Sequence, residues 1–183
     1  KLKKKFKNIK LIFRKKKPRD LSKSCSEGFE IAKFDYILVM DGDLQHNPKY
    51  IPEMVLKFKK NKCDFVIGAR NLVKKRVKSL SFFRQSSSFI MIKFFDFLFG
   101  KKTIDPMSGF FLFKKKIYFR NKKKLFLKGF KILADLIYSE KKLNARDITI
   151  KFDYRKKGES KLNFKILLIL LNFIIYRFLK NHL

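Results

Sequence analysis

Two carboxylates flank a single glycine at Asp41-Gly42-Asp43, and Gln45 follows two residues on. Hard oxygen donors at this spacing suit Mg²⁺ or Mn²⁺, ions that commonly bridge protein carboxylates to substrate phosphates. The run just before them, Tyr36 to Met40, is apolar and rich in β-formers, as a buried strand should be. In an open α/β sheet, ligands collect beyond the carboxyl ends of the strands. The acidic pair, Asp41 and Asp43, therefore falls where a phosphate-bearing ligand would be met. A bare Asp-x-Asp is common and can be no more than a polar turn, so the remaining residues must supply the context.

A second short apolar run, Asp64 to Gly68, leads into Arg70 and so predicts a second strand whose end lies on the same edge. A guanidinium binds phosphate oxygens in a two-pronged geometry that lysine does not copy. The 183-residue chain carries 47 Lys and Arg against 15 acids, a net charge of +32. Such a charge calls for an anionic partner: a phosphorylated substrate, an acidic membrane surface or nucleic acid. Abundant Lys, Phe, Ile and Asn would equally follow from an AT-rich coding sequence. With 23 Phe spread along the chain, most of it should fold into one domain with a real core. The two cysteines, Cys25 and Cys63, have no metal-ligand spacing, which suits a reducing compartment. No signal peptide is visible. No nucleic-acid-binding motif accompanies the charge, so nucleic acid is not the expected partner.

The block DGDLQHNP, residues 41–48, resembles the DADLQHPP signature of the dolichyl-phosphate mannose synthase group, family 2 glycosyltransferases of the GT-A fold. Further matches follow in the same order: Val66-Ile67-Gly68-Ala69-Arg70, Arg84 with Ser88, Asp105-Pro106-Met107-Ser108-Gly109-Phe110, Lys128-Gly129-Phe130-Lys131, and Arg155 with Gly158-Glu159-Ser160-Lys161-Leu162. The resemblance runs from about residue 8 to 162 and implies a mixed α/β sheet flanked by helices. It implies metal-dependent, inverting transfer of a sugar, mannose first, from a nucleotide-sugar donor to a polyprenyl phosphate. UDP-glucose or UDP-N-acetylglucosamine are alternative donors. By the same resemblance Asp41, Asp43 and Gln45 hold Mg²⁺ or Mn²⁺, with Asp41, Asp43 and Arg70 at the reaction centre. Arg84, Ser88, Arg155, Ser160 and Lys161 then bind donor or acceptor phosphate, and Arg19 lies near the donor diphosphate. Asp105 orients a sugar hydroxyl or caps a turn, and His46 touches substrate or holds its loop. The acceptor phosphate is already ionised, so no general base is needed. The family's strands bearing Pro-Thr-Tyr-Asn-Glu and Asp-Asp, which bind base and ribose, have no counterpart here. The expectation is a GT-A domain lacking that portion and inactive alone. A basic nucleic-acid-binding protein and an inactive membrane-docking remnant are the alternatives of other classes.

The elements that must position these residues follow from periodicity. Strands are expected at 9–13, 36–40, 64–68 and 147–152, and a loop into a strand at 105–113. Helices are expected at 21–33, after an Asn47 cap and Pro48, at 82–99, at 130–141 and from 164. Residues 89–99 are apolar almost all round and must be buried or interfacial, because so short a helix reaches only about half of a ~30 Å hydrocarbon core. Residues 164–178 are also too short to span and fit a membrane-surface helix or a buried terminal helix. The chain thus divides into 1–163, a partial GT-A domain, and 164–183, an apolar helix at the membrane interface. Placement is expected at the cytoplasmic face of an anionic membrane surface, peripheral or interfacial.

Overall fold

The computed structural model describes residues 8–14, 20–70, 82–129, 131–151 and 164–182. Among the described residues six α-helices and four strands follow in order: α1 (Leu21–Ile31), β1 (Tyr36–Val39), α2 (Ile51–Lys60), β2 (Phe65–Ala69), α3 (Phe82–Phe99), β3 (Phe111–Lys114), α4 (Lys115–Asn121), α5 (Ile132–Ile137), β4 (Ala145–Thr149) and α6 (Phe164–His182). The strands form one sheet in the order β1-β3-β2-β4. β3 runs antiparallel to both β1 and β2, while β2 and β4 are parallel. β1, β2 and β4 therefore all point one way, and their carboxyl ends share one edge. This is the mixed α/β sheet flanked by helices that the sequence predicts.

Alternation along the strands sorts the core onto two faces. Val66, Phe110, Leu112 and Ile148 pack against Met54 and Phe58 of α2 on one face. Phe65, Ile67, Phe111 and Phe113 meet Phe29, Phe95, Leu133 and Phe173 on the other, where α1, α3, α5 and α6 lie. β2 is buried at every position, being covered on both faces and paired on both sides. β1 has the same apolar character but is exposed at Tyr36 and only partly buried at 37–39. Among the described residues its outer edge has no strand partner.

Four expectations are corrected. Residues 9–13 form no strand: they are irregular, and Phe13 is 82% exposed. An apolar run becomes a strand only with a partner. Here the contact is instead through Arg14, which donates to the Asp20 carbonyl (2.8 Å) and pairs with Glu27. Helix α5 is much shorter than 130–141, because the Lys102 ammonium donates to the carbonyls of Ile137 and Glu140 and closes the helix there. β4 begins two residues earlier than expected, since the parallel register pairs Phe65 with Ala145 and Ala69 with Thr149. Helix α4 was not anticipated in its lysine-rich run, and Ile117 and Tyr118 are the residues that bury its inner face.

Helix α6 docks through a buried ion pair. Arg177, 1% exposed, pairs with the Asp135 carboxylate of α5 and also donates to the Asp135 carbonyl. The same carboxylate accepts the backbone N–H groups of Phe126 and Leu127. Removing one partner of such a pair strands a buried charge, at about 3–5 kcal/mol. Arg177→Met is accordingly expected to lower stability by about 3 kcal/mol in urea unfolding. A loss below about 1 kcal/mol would show that the pair does not anchor the helix.

Candidate active site

The sheet register brings Asp41, Gly109 and Arg70 to one edge. Val39, Phe111 and Ile67 stand in one row across β1, β3 and β2. One step further, the Gly68 N–H donates to the Phe110 carbonyl (2.8 Å). Beyond that row lie Asp41 after β1, Gly109 before β3 and Arg70 after β2. Asp41 rests directly on Gly109: a Cβ built there would lie 2.5 Å from the Asp41 Cγ. Glycine is needed because the carboxylate occupies the place of a side chain.

The loop after Asp41 turns sharply. Leu44 has φ 63, the left-handed region, and its side chain is 62% exposed. The reversal carries Gln45 and His46 inward, to 2% and 4% exposure. The Gln45 N–H donates to Asp43 Oδ1 (3.2 Å), closing the turn. The His46 ring lies 5.3 Å from that of Phe110. Burial pushes its pKa down to about 4, aided by the Arg70 charge and opposed by Asp43 and Asp105. His46 is therefore neutral near pH 7.

Arg70 and Asp105 form a buried ion pair on the same edge. Arg70 Nε and Nη2 donate to the two Asp105 oxygens at 2.7 and 2.9 Å, and the Arg70 backbone N–H adds a third bond at 3.1 Å. Asp105 is fully buried and Arg70 is 8% exposed. Burial acts against the guanidinium charge, but Asp105 and then Asp41 more than offset it, so the pKa of Arg70 is raised. The Met107 N–H also donates to Asp105 (3.3 Å), so this carboxylate closes its own turn as well as holding Arg70. Ser108 donates its hydroxyl to the Gly68 carbonyl (2.7 Å), tying the turn to β2. Nearby on α1, burial and the Asp41 and Asp20 carboxylates push the Cys25 thiol up to about 11.

Of the remaining predicted residues, Ser88 is half-buried on α3. Arg84 lies on α3, but its side chain is outside the described residues, as are Arg19, Arg155, Ser160 and Lys161. Sequence reasoning placed Gly109 in a matched block without giving it a role, and gave Thr103 and Asp147 none. A glycine beside a motif serine carries little signal, and the roles of the other two depend on a contact between distant segments.

The edge fits a hard divalent cation. Asp41 and Asp43 share one turn, and Gln45 is buried beside them. Among the described residues no third His, Cys, Asp or Glu joins them. The protein would thus offer two anionic ligands and leave positions for water and phosphate, the usual way Mg²⁺ is held.

Comparison with known proteins identifies the family. Residues 1–120 match the model of Glycosyl transferase family 2. A dolichol-phosphate mannosyltransferase of Pyrococcus furiosus is 33% identical over 171 residues, covering 92% of this chain and 47% of its own. One from Saccharomyces cerevisiae is 30% identical over 173 residues, covering 88% and 61%. The chain thus spans about half to three-fifths of these relatives' length. Among solved structures, the glucosyl-3-phosphoglycerate synthase of Mycobacterium tuberculosis in complex with Mn²⁺, UDP-glucose and phosphoglyceric acid superposes with a TM-score of 0.57. The two are 14% identical, and the match covers 87% of this chain and 54% of that one, a likeness of fold. The chain belongs to the family 2 glycosyltransferases.

The contact between Gly109 and Asp41 yields a direct expectation. Gly109→Ala should displace the Asp41 carboxylate while leaving the core intact, since the neighbour is a side-chain end rather than backbone. Mn²⁺ affinity, read by electron paramagnetic resonance, should fall roughly tenfold or more, with little change in thermal stability. Unchanged Mn²⁺ binding would separate Gly109 from the metal site.

Proposed function

We propose that this chain is the catalytic portion of a glycosyltransferase moving a sugar, mannose first, from a nucleotide-sugar to a polyprenyl phosphate. The observation that carries this is the meeting of Asp41 and Asp43 with the Arg70–Asp105 pair at one sheet edge. The dolichol-phosphate mannosyltransferases among the relatives support the sugar and the lipid phosphate.

The reaction is a single in-line displacement with inversion. An ionised acceptor phosphate oxygen attacks the anomeric carbon, and the bond to the donor's diphosphate oxygen breaks with its electron pair leaving on the diphosphate. Mg²⁺ or Mn²⁺ held by Asp41 and Asp43, with Gln45 beside them, would supply Lewis-acid charge to that leaving group. Arg70, oriented by Asp105, offers a fixed positive charge to the acceptor phosphate at no reorganisation cost. Arg84, Ser88, Arg155, Ser160 and Lys161 are assigned to the donor and acceptor phosphates. A buried, neutral His46 is a weak base, which suits an acceptor that needs none. The role of His46 is to fill the turn beneath the carboxylates.

The second part of the reading concerns the lipid. Residues 1–163 form the transferase domain and 164–183 an interfacial helix, although α6 packs on the domain's core through Phe173 and Arg177. Helices α3 and α6 touch at Phe95 and Phe173, with ring centroids 5.8 Å apart. Their outer faces carry Phe94, Phe97, Leu171, Ile175 and Phe178, between 42% and 85% exposed. Among the described residues no helix is long and apolar enough to cross a membrane. Apolar stripes of this kind beside lysines suit the interface of an anionic leaflet.

The chain is expected to be inactive alone, so the reading is tested on the chain joined to a segment supplying base- and ribose-binding strands, given Mn²⁺, a short polyprenyl phosphate and labelled GDP-mannose, UDP-glucose or UDP-N-acetylglucosamine. Label should pass to the lipid phosphate, fastest from GDP-mannose, and Asp43→Asn should abolish transfer without unfolding the chain. Full metal-dependent transfer by that variant would remove the assignment. For the lipid face, flotation with anionic liposomes should succeed at low salt and weaken as salt rises, because screening shortens the reach of each charge to about 8 Å at physiological ionic strength. No flotation at low salt would leave the exposed α3 and α6 faces without a lipid role.

A further inference from the structure

The Arg70–Asp105 pair is not held by Arg70 and its own turn alone. Asp147 lies on β4, opposite Ile67 in the register and on the same face of the sheet. Its carboxylate accepts the Thr103 hydroxyl and the Ile104 N–H (3.0 Å). The Thr103 hydroxyl in turn accepts the Asp105 N–H at 3.3 Å. Asp105 then receives three bonds from Arg70. A continuous line of hydrogen bonds thus runs from β4, across the 103–105 segment, to the guanidinium at the end of β2. Thr103 is 2% exposed and occupies the middle of that line, donating on one side and accepting on the other.

The arrangement resolves a local electrostatic conflict. Asp147 and Asp105 are like charges facing one another across Thr103. Burial raises the Asp147 pKa, the Thr103 hydroxyl and Ile104 N–H counter it, and Asp105 adds to the rise. A hydroxyl is the group that can donate to one carboxylate and accept from the backbone of the next. Lys57 of α2 fixes β4 independently, donating to the Asp147 carbonyl (2.9 Å).

We propose that Thr103 and Asp147 are positioning residues, which act through Asp105 to aim Arg70 at the acceptor phosphate. The aim at the acceptor rests on the function proposed above. The hydrogen-bonded line does not. Because Arg70 follows β2 directly, a shift of the 103–105 turn would be passed to its guanidinium. Small displacements of a charge-orienting group are costly for binding a phosphate.

The test uses the full chain with farnesyl phosphate as the acceptor probe, Mn²⁺ as the metal probe, and the Arg70 Nε–H resonance as a reporter that needs no ligand. Thr103→Val keeps the shape and removes both hydrogen bonds. It should weaken farnesyl phosphate binding roughly tenfold, leave Mn²⁺ affinity unchanged, and speed exchange of the Arg70 Nε proton. Thr103→Ser restores the hydroxyl and should restore both properties. Asp147→Asn, which keeps one acceptor but opposes the Ile104 N–H with a donor, should fall between them. Should Thr103→Val fail to fold, the Thr103→Ser and Asp147→Asn pair decides. A folded Thr103→Val with a wild-type Nε–H resonance would overturn the positioning role, as would Asp147→Asn matching wild type when Thr103→Val cannot be folded. If wild type binds Mn²⁺ but not farnesyl phosphate, the acceptor reading falls and the aim at the acceptor with it. The Nε–H comparison then still decides whether the line orders Arg70.

Discussion

The bidentate contact between Arg70 and Asp105 is the constraint on which the edge of this sheet depends. It joins the end of β2 to the turn that precedes β3, and both groups are almost wholly buried. Loss of either partner would leave an uncompensated charge in a dry place. Held this way, the turn presents Ser108 to the Gly68 carbonyl and Gly109 to Asp41. The acidic pair, Asp41 and Asp43, and the guanidinium are therefore placed by one set of contacts. Fixed charges of both signs thus stand side by side on this edge.

Acids are scarce in a chain of net charge +32, and those present are placed with economy. Asp20 caps α1 through the Ser22 N–H and ties it to the Gly129 N–H. Asp64 joins the start of β2 to Lys114 of β3 and to the Asn144 backbone. Asp135 secures α6, and Asp147 secures the segment beside Asp105. Each of these carboxylates links segments distant in sequence. Among the described residues the lysines, by contrast, mostly lie outside, where they give the surface its field. The proposed phosphate substrates and anionic membrane surface would supply the counter-charge for such an excess.

Much of this was legible in the residues. The strand into Asp41, the strand into Arg70 and the long apolar helix α3 follow from short runs of apolar residues bounded by glycine or charge. The left-handed Leu44 and the inward turn of Gln45 and His46 do not, because nothing local forces a leucine into that region. The expected strand at 9–13 failed because pairing is a property of two segments and the sequence pattern reports only one. The length of α5 was misread for a similar reason, since the lysine that ends it comes from residue 102. Arg70 was legible as a cation on the right edge, but its partner in Asp105 became visible only once the sheet placed residues 70 and 105 together. Thr103 and Asp147 gave no signal at all, as their bonds join segments more than 40 residues apart.

Asp41 and Asp43 are proposed to bind a divalent cation at the edge shared with Gly109 and Arg70. Mn²⁺ broadens the resonances of nuclei close to it, so a titration followed in amide spectra locates the ion. The amides of Asp43, Gly109 and Arg70 should broaden first. Those of Asp64 and Asn144, around a carboxylate at the opposite end of β2, should remain sharp. Broadening centred on Asp64, or spread evenly over every exposed acid, would contradict the account.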